Sequence, residues 1–318
     1  MTGGAGFIGS NLVDRLAADG REVVAFDNLS TGRLEFLRDA LELPNVRLVE
    51  GDVLDEHALR GAVDGCDLVV HLAANADVRH GLDRPRRDLE QNTIATSNVL
   101  EAMRAGGCSR IAFSSTGSVY GEPEVFPTPE DCPFPTQTSL YAASKLAGEG
   151  LIQAYCHGYG FTGVVFRFVS ILGERYSHGH VYDFYAALKR DPTCLRVLGD
   201  GRQEKSYLYI GDCVEGIVAG IAAHDSPGET AVYNLGADET IVVDQSIGHI
   251  ARLMGVAPRL EHTGGKRGWA GDSPLILLDC ARLRALGWAP TLSIPEAIGR
   301  TLSWFEANPY VFERQEAA

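Results

Sequence analysis

Short apolar runs recur through the first half of the chain, each bounded by glycine or polar residues. They fall at Glu22–Phe26, Val46–Val49, Asp67–Leu72, Arg110–Ser114 and Gly163–Phe168. Their length and β-branched content predict buried strands. Between them the apolar positions shift to three- and four-residue spacing, which predicts helices over Asn11–Ala18, Arg87–Ala105 and Tyr141–Tyr159. Strands alternating with helices imply a parallel sheet with right-handed crossovers and helices on both faces, a doubly wound α/β fold. After about Leu172 the rhythm loosens. Tyr182–Ala187, Gly199–Gly201 and Glu261–Asp272 read as parts of a smaller mixed lobe. An Asp-capped helix near Asp212–Ala223 and a short strand at Ala231–Leu235 are expected to return to the sheet. The expected division is therefore 1–172 and 173–318, interleaved, with residues near 208–236 rejoining the first unit.

Composition narrows the class. At 318 residues the chain exceeds the ~100–200 of one ordinary domain. A formal net charge of −14 disfavours general binding to nucleic acid or an anionic membrane. Seven scattered cysteines, never spaced as a close pair, argue against a disulfide framework or a zinc site and fit reduced thiols in a cytoplasm. No apolar run approaches the ~18 residues of a membrane span.

The chemistry begins at Thr2-Gly3-Gly4-Ala5-Gly6-Phe7-Ile8-Gly9, a glycine-rich loop opening a helix. Glycines allow a sharp turn and close approach of a pyrophosphate, and the helix N-terminus supplies free N–H groups. Such loops normally follow the central strand of a Rossmann-type sheet. Here the chain starts at the loop, so that strand is expected upstream of Met1, with a central gap in its absence. Asp27, 18 residues after Gly9 at a strand end, is placed to bind an adenosine ribose and repel a 2′-phosphate, favouring NAD. Arg33 keeps NADP as the minority option. Asp52, in Gly51-Asp52-Val53, reads either as an adenine contact or as a helix cap. His71 reads better as a satisfied core imidazole than as a catalytic group.

Tyr141-Ala142-Ala143-Ser144-Lys145 places a phenol and an ammonium four apart on one helix face. A nearby cation is expected to lower the phenol pKa and make Tyr141 a base for a sugar hydroxyl. Ser114-Ser115-Thr116-Gly117-Ser118-Val119-Tyr120-Gly121 follows a strand at the sheet edge where ligands bind, although a Ser/Thr-rich turn would look the same locally.

Taken in order, TGGAGFIG, FDN, GDV, HLAA, SSTGSVYG and YAASK resemble the extended short-chain dehydrogenase/reductases of the NAD-dependent epimerase/dehydratase family, nearest the UDP-glucose and UDP-glucuronic acid 4-epimerases. The resemblance spans essentially the whole chain. It implies NAD held at Gly3, Gly6, Phe7, Ile8, Gly9, Asp27, Asn28, Ser30, Thr31, Gly32, Asp52, Val53, Leu72, Ala73, Ala74, Asn92, Ser114, Tyr141 and Lys145. It implies Thr116, Tyr141 and Lys145 as the catalytic set, with no metal. For the substrate, a UDP-sugar, it implies Val78, Thr116, Tyr141, Ser170, Arg175, Arg202, Lys205, Arg267 and Asp272. Lys205 stands where the family usually has Arg, and Ser170 where it often has Asn. Arg175 reads either as a contact for a uronic carboxylate or as a surface partner of Glu174 or Asp183. Related enzymes often form homodimers through two long helices, here Arg87–Ala105 and Tyr141–Tyr159. In sister dehydratases and decarboxylases an acid stands at positions that are here Gly117 and Ser118, so those chemistries are disfavoured. An NAD-linked sugar dehydrogenase or reductase, or an NAD sensor without turnover, are the alternatives.

Overall fold

The computed structural model describes residues 1–76, 81–134, 136–269 and 271–313. Its first half runs α1 (Phe7–Ala18), β1 (Val23–Asp27), β2 (Val46–Glu50), α2 (Glu56–Val63), β3 (Val69–His71), α3 (Pro85–Asp88), α4 (Ala95–Gly106), β4 (Arg110–Thr116), α5 (Leu140–Tyr159) and β5 (Thr162–Phe168). Its second half continues with β6 (Ser170–Leu172), α6 (His180–Arg190), β7 (Cys194–Val197), β8 (Glu204–Lys205), β9 (Tyr207–Tyr209), α7 (Ile210–Ala223) and β10 (Thr230–Leu235). Then come β11 (Ile241–Val242), α8 (Val243–Leu253), β12 (Arg259–His262), β13 (Leu275–Ile276), α9 (Ala281–Arg284) and α10 (Ile294–Ala307).

The architecture is Rossmann-type. β1 pairs with β2, and β3, β4, β5 and β10 pair in that order, all parallel. β3, β4 and β5 are almost wholly buried because helices cover both faces: α2, α4 and α5 pack together on one, α1 and α7 on the other. β10 returns from the second half to lie beside β5, which makes the two units interleaved. The lobe carries small sheets, β11-β8-β13, β12-β7 and β6-β9, with α8 packed against α6 and α10.

The centre of the sheet, between β1 and β3, is occupied at its C-terminal end by Met1 and Thr2. Phe26 N donates to Met1 O (2.7 Å), Thr2 N to Val70 O (3.0 Å) and Leu72 N to Thr2 O (3.2 Å). Met1 and Thr2 thus link β1 to β3. They deliver Gly3 to the edge where the site forms.

Two helices differ from the sequence expectation. The expected Arg87–Ala105 helix is three joined pieces, α3, a π-helical stretch Leu89–Ile94, and α4. The widened turn carries the buried Asn92, whose amide is tied across to Asn75 and Ser144. Asp212 does not cap α7. It is the helix's third residue, buried, and its carboxylate accepts Thr291 N (2.9 Å) and the Thr291 hydroxyl (2.6 Å). No helix among the described residues is long and apolar enough to cross a membrane.

Candidate active site

A cavity of about 1180 Å³ lies along the C-terminal edge of the sheet and runs under the lobe. The glycine loop forms one end. Gly3 has φ +68°, and a Cβ on it would sit 2.8 Å from Ala73 N. A Cβ on Gly9 would lie 2.9 Å from the Gly3 carbonyl carbon, with the oxygen closer still. Only glycine lets α1 begin this near the strand end. The N-terminus of α1 has no side-chain cap and no acid in its first turn, so its N–H groups and positive dipole end are open to an anion. Gly3, Gly6, Phe7, Ile8 and Gly9 all line the cavity.

Asp27 lines the same end, accepting Ala5 N (2.9 Å) and Leu29 N (2.8 Å), and burial raises its pKa above the usual carboxylate value. Gly32 packs against this carboxylate without lining the cavity, whereas Asn28, Ser30 and Thr31 line it. Arg33 also lines this end, but its guanidinium is turned to the Tyr310, Val311 and Glu313 carbonyls, to which it donates at 2.9–3.2 Å. Asp52 and Val53 line the cavity. Asp52 accepts Leu54 N (2.8 Å) and Asn28 Nδ2 (2.9 Å), while the cap of α2 is Asp55. These features fit a dinucleotide with an unphosphorylated ribose: a cradle closed to any Cβ, an uncapped helix end and a carboxylate at the neighbouring strand tip.

Leu72, Ala73, Ala74 and Ser114 line the middle of the cavity. Asn92 does not. It is 1% exposed and its amide is spent on Asn75 N (2.8 Å) and the Ser144 hydroxyl (2.8 Å), so it shapes the cavity wall from behind. His71 is a satisfied core residue, between Thr2 Oγ1 (2.7 Å) and Thr96 Oγ1 (3.1 Å), and burial lowers its pKa to about 3. Val78 lies outside the described residues.

Thr116, Tyr141 and Lys145 meet at the cavity floor. The Thr116 hydroxyl lies beside the Tyr141 phenol and favours its ionised form. The lowered phenol pKa expected from Lys145 is not what the structure has. Burial pushes Tyr141 up to about 12, and the Thr116 hydroxyl only partly opposes it. Lys145 Nζ is drawn to the Ser114 carbonyl (2.8 Å) and stands 4.8 Å over the Phe113 ring. Burial lowers its own pKa to about 7, against an opposing pull from Glu149.

The lobe supplies the other end. Lys205 and Asp272 both line the cavity and are ion-paired to each other at 2.6 Å. Lys205 also reaches the Ser273 carbonyl, and Asp272 accepts Gly268 N at 2.9 Å. Arg267 sits behind them, bonded to Asp272 O (2.8 Å) and paired with Glu122. Ser170 lines the cavity, whereas Arg202 is exposed away from it. Arg175 does not line it either. Its guanidinium pairs with Asp14 of α1 at 2.7 Å and not with Glu174, which is taken by Arg300 and Tyr209. The residues that sequence reasoning missed are the aromatic and imidazole walls Tyr176, His178, His180, Tyr207 and Trp269. His180 bonds Ser246 at 2.8 Å, and burial, with Lys205 nearby, keeps it neutral, its pKa at about 3. The linear signal for Tyr176, His178 and His180 was the polarity of the stretch after Gly173, whereas Tyr207 and Trp269 lie in the two segments that carry Lys205 and Asp272.

The model of the NAD dependent epimerase/dehydratase family matches residues 1–236, and the chain belongs to that family. The UDP-glucose 4-epimerase of Mycolicibacterium smegmatis is 34% identical over 313 residues, covering 96% of this chain and 97% of its own. A solved UDP-galactose 4-epimerase is 36% identical, with a TM-score of 0.86 and coverage of 96% of this chain and 98% of that one. The UDP-glucose 4-epimerase of Thermotoga maritima, solved with UDP-glucose, is 30% identical at a TM-score of 0.86, covering 97% and 98%.

Proposed function

We propose that the chain is a nucleotide-sugar 4-epimerase that inverts C4 of a UDP-hexose or UDP-hexuronic acid through a transient 4-keto sugar. The observation that carries this reading is the convergence of Thr116, Tyr141 and Lys145 on the floor of one cavity. The glycine cradle closes one end of that cavity and the Lys205–Asp272 pair the other. NAD, when bound, supplies a reversible hydride acceptor for the sugar carbon. Tyr141 takes the proton from O4 and gives it back, and Thr116 holds that oxygen by a hydrogen bond. A phenol pushed up to about 12 stays protonated in the free site and cannot accept a proton there, so a positive charge brought beside it by ligand binding is what readies it as a base. Lys145, as an ammonium, adds positive charge to that floor. Lys205 offers a cation to the diphosphate once it exchanges Asp272 for phosphate, and Asp272 is then free to accept from a ribose hydroxyl. Ser118 and Gly117 place no carboxylate over the sugar, which leaves an elimination step without its acid and base. The same reading includes a homodimer through α4 and α5, which sedimentation of the purified protein measures.

The test is a product assay with UDP-glucose, UDP-N-acetylglucosamine and UDP-glucuronic acid, following C4 configuration by proton NMR and free NADH by absorbance. A C4 epimer without NADH release supports the reading, and NADH release without epimer replaces it with a dehydrogenase. Tyr141→Phe should lower turnover by about 10³-fold while NAD stays bound; undiminished turnover would end the assignment.

A further inference from the structure

One turn beyond Lys145 on α5 stands Glu149, 1% exposed and unused in the chemistry above. Tyr141, Lys145 and Glu149 are spaced by four and share a helix face. The end of β4 clasps them with three consecutive residues. The Thr116 hydroxyl meets Tyr141, the Ser114 carbonyl takes Lys145 Nζ at 2.8 Å, and the Ser115 hydroxyl donates to Glu149. Arg167, paired in register with Ser115 on β5, closes on the same carboxylate through Nε (3.1 Å) and Nη2 (2.7 Å). Arg167 is fixed in turn by the Tyr120 hydroxyl (2.7 Å) and the Glu130 carbonyl (2.9 Å). Beyond it the Glu130 side chain pairs with Arg282.

A buried bidentate ion pair costs desolvation and often contributes little net stability. Its placement here is therefore better explained by what it does to its neighbour. Lys145 sits in a low-dielectric floor that disfavours its charge, with the Phe113 ring below it, the neutral His71 across the sheet, Tyr141 above, and Asp88 beyond Tyr141. Glu149 is the carboxylate acting on it. We propose that Glu149, pinned by Arg167 and Ser115, is the positioning residue that sustains the ammonium form of Lys145 against its burial. Its catalytic consequence rests on the epimerase reading; the charge of Lys145 itself does not.

The chain has only four lysines, Lys145, Lys189, Lys205 and Lys266. Lysine isotope-labelled at Cε therefore gives an NMR spectrum in which Lys145 is assigned by its loss in Lys145→Arg. In E149Q the Lys145 titration midpoint should fall by about one pH unit or more. E149D, which keeps the charge, should restore most of it. The double variant E149Q/R167M removes both charges, leaves no lone guanidinium, and should also lower the midpoint; it decides the matter if E149Q does not fold. A wild-type midpoint in whichever of these folds overturns the proposal. A lowered midpoint in a protein that forms no C4 epimer would keep it and reject the epimerase.

Discussion

Gly9→Ala adds one methyl group and should empty the cofactor cradle. The new Cβ would stand 2.9 Å from the Gly3 carbonyl carbon, 3.0 Å from Gly4 Cα, and nearer still to the Gly3 oxygen. All three are backbone atoms that cannot rotate aside, so the loop or the first turn of α1 must shift by on the order of 1 Å, an overpacking cost of about 1–3 kcal/mol. Hydrogen bonds to a pyrophosphate hold only over about 2.7–3.2 Å, so the donors at the helix start would lose their alignment. Two charge-assisted bonds at about 1.5–3 kcal/mol each amount to about 3–6 kcal/mol, or a loss of about 10²–10⁴-fold in NAD affinity. The assay is NAD retained per chain after purification, measured by chromatography of the denatured supernatant, together with calorimetric titration. Gly61→Ala is the control, because Gly61 is exposed on α2 and a Cβ there meets nothing within 4 Å. It should leave NAD unchanged and stabilise the chain by about 0.5–1 kcal/mol. Wild-type NAD affinity in Gly9→Ala would refute the cradle.

The other expectations concern the residues the fold reassigned. His71 and His180 are held neutral, their pKa values lowered from 6.5 to about 3. The unfolded chain therefore takes up protons that the folded one refuses, and stability should fall as pH drops from about 6.5 toward 3. The slope is about 1.4 kcal/mol per pH unit for each imidazole, and urea unfolding of His71→Gln should show it reduced by one proton. Arg175→Ala should leave the relative KM for UDP-glucuronic acid and UDP-glucose unchanged. Its partner is Asp14, so the loss should instead appear as a lower Tm worth about 1 kcal/mol. A selective rise in KM for the uronic acid would return Arg175 to the substrate.

Local order in the chain carries much of this protein. Strand and helix periodicity predicts the layers, and the glycine loop, the Asp27 strand tip and the Tyr141–Lys145 spacing each depend on residues close in sequence, so one stretch suffices to place them. What the linear pattern could not supply were relations between distant residues. The spacing of Tyr141 and Lys145 says that they share a face, yet the balance of burial against charge that raises one and lowers the other exists only once β4 lies beneath α5. Arg175, Arg33 and Asn92 all look like ligand contacts in their motifs. They are taken up by Asp14, by the carbonyls near Val311 and by Asn75 and Ser144, partners that a polar side chain finds only when the fold brings them within hydrogen-bond reach. Sequence alone determined the class of fold and the residues able to do chemistry. Tertiary structure decided which of those residues face the cavity, because burial and pairing are properties of neighbours in space.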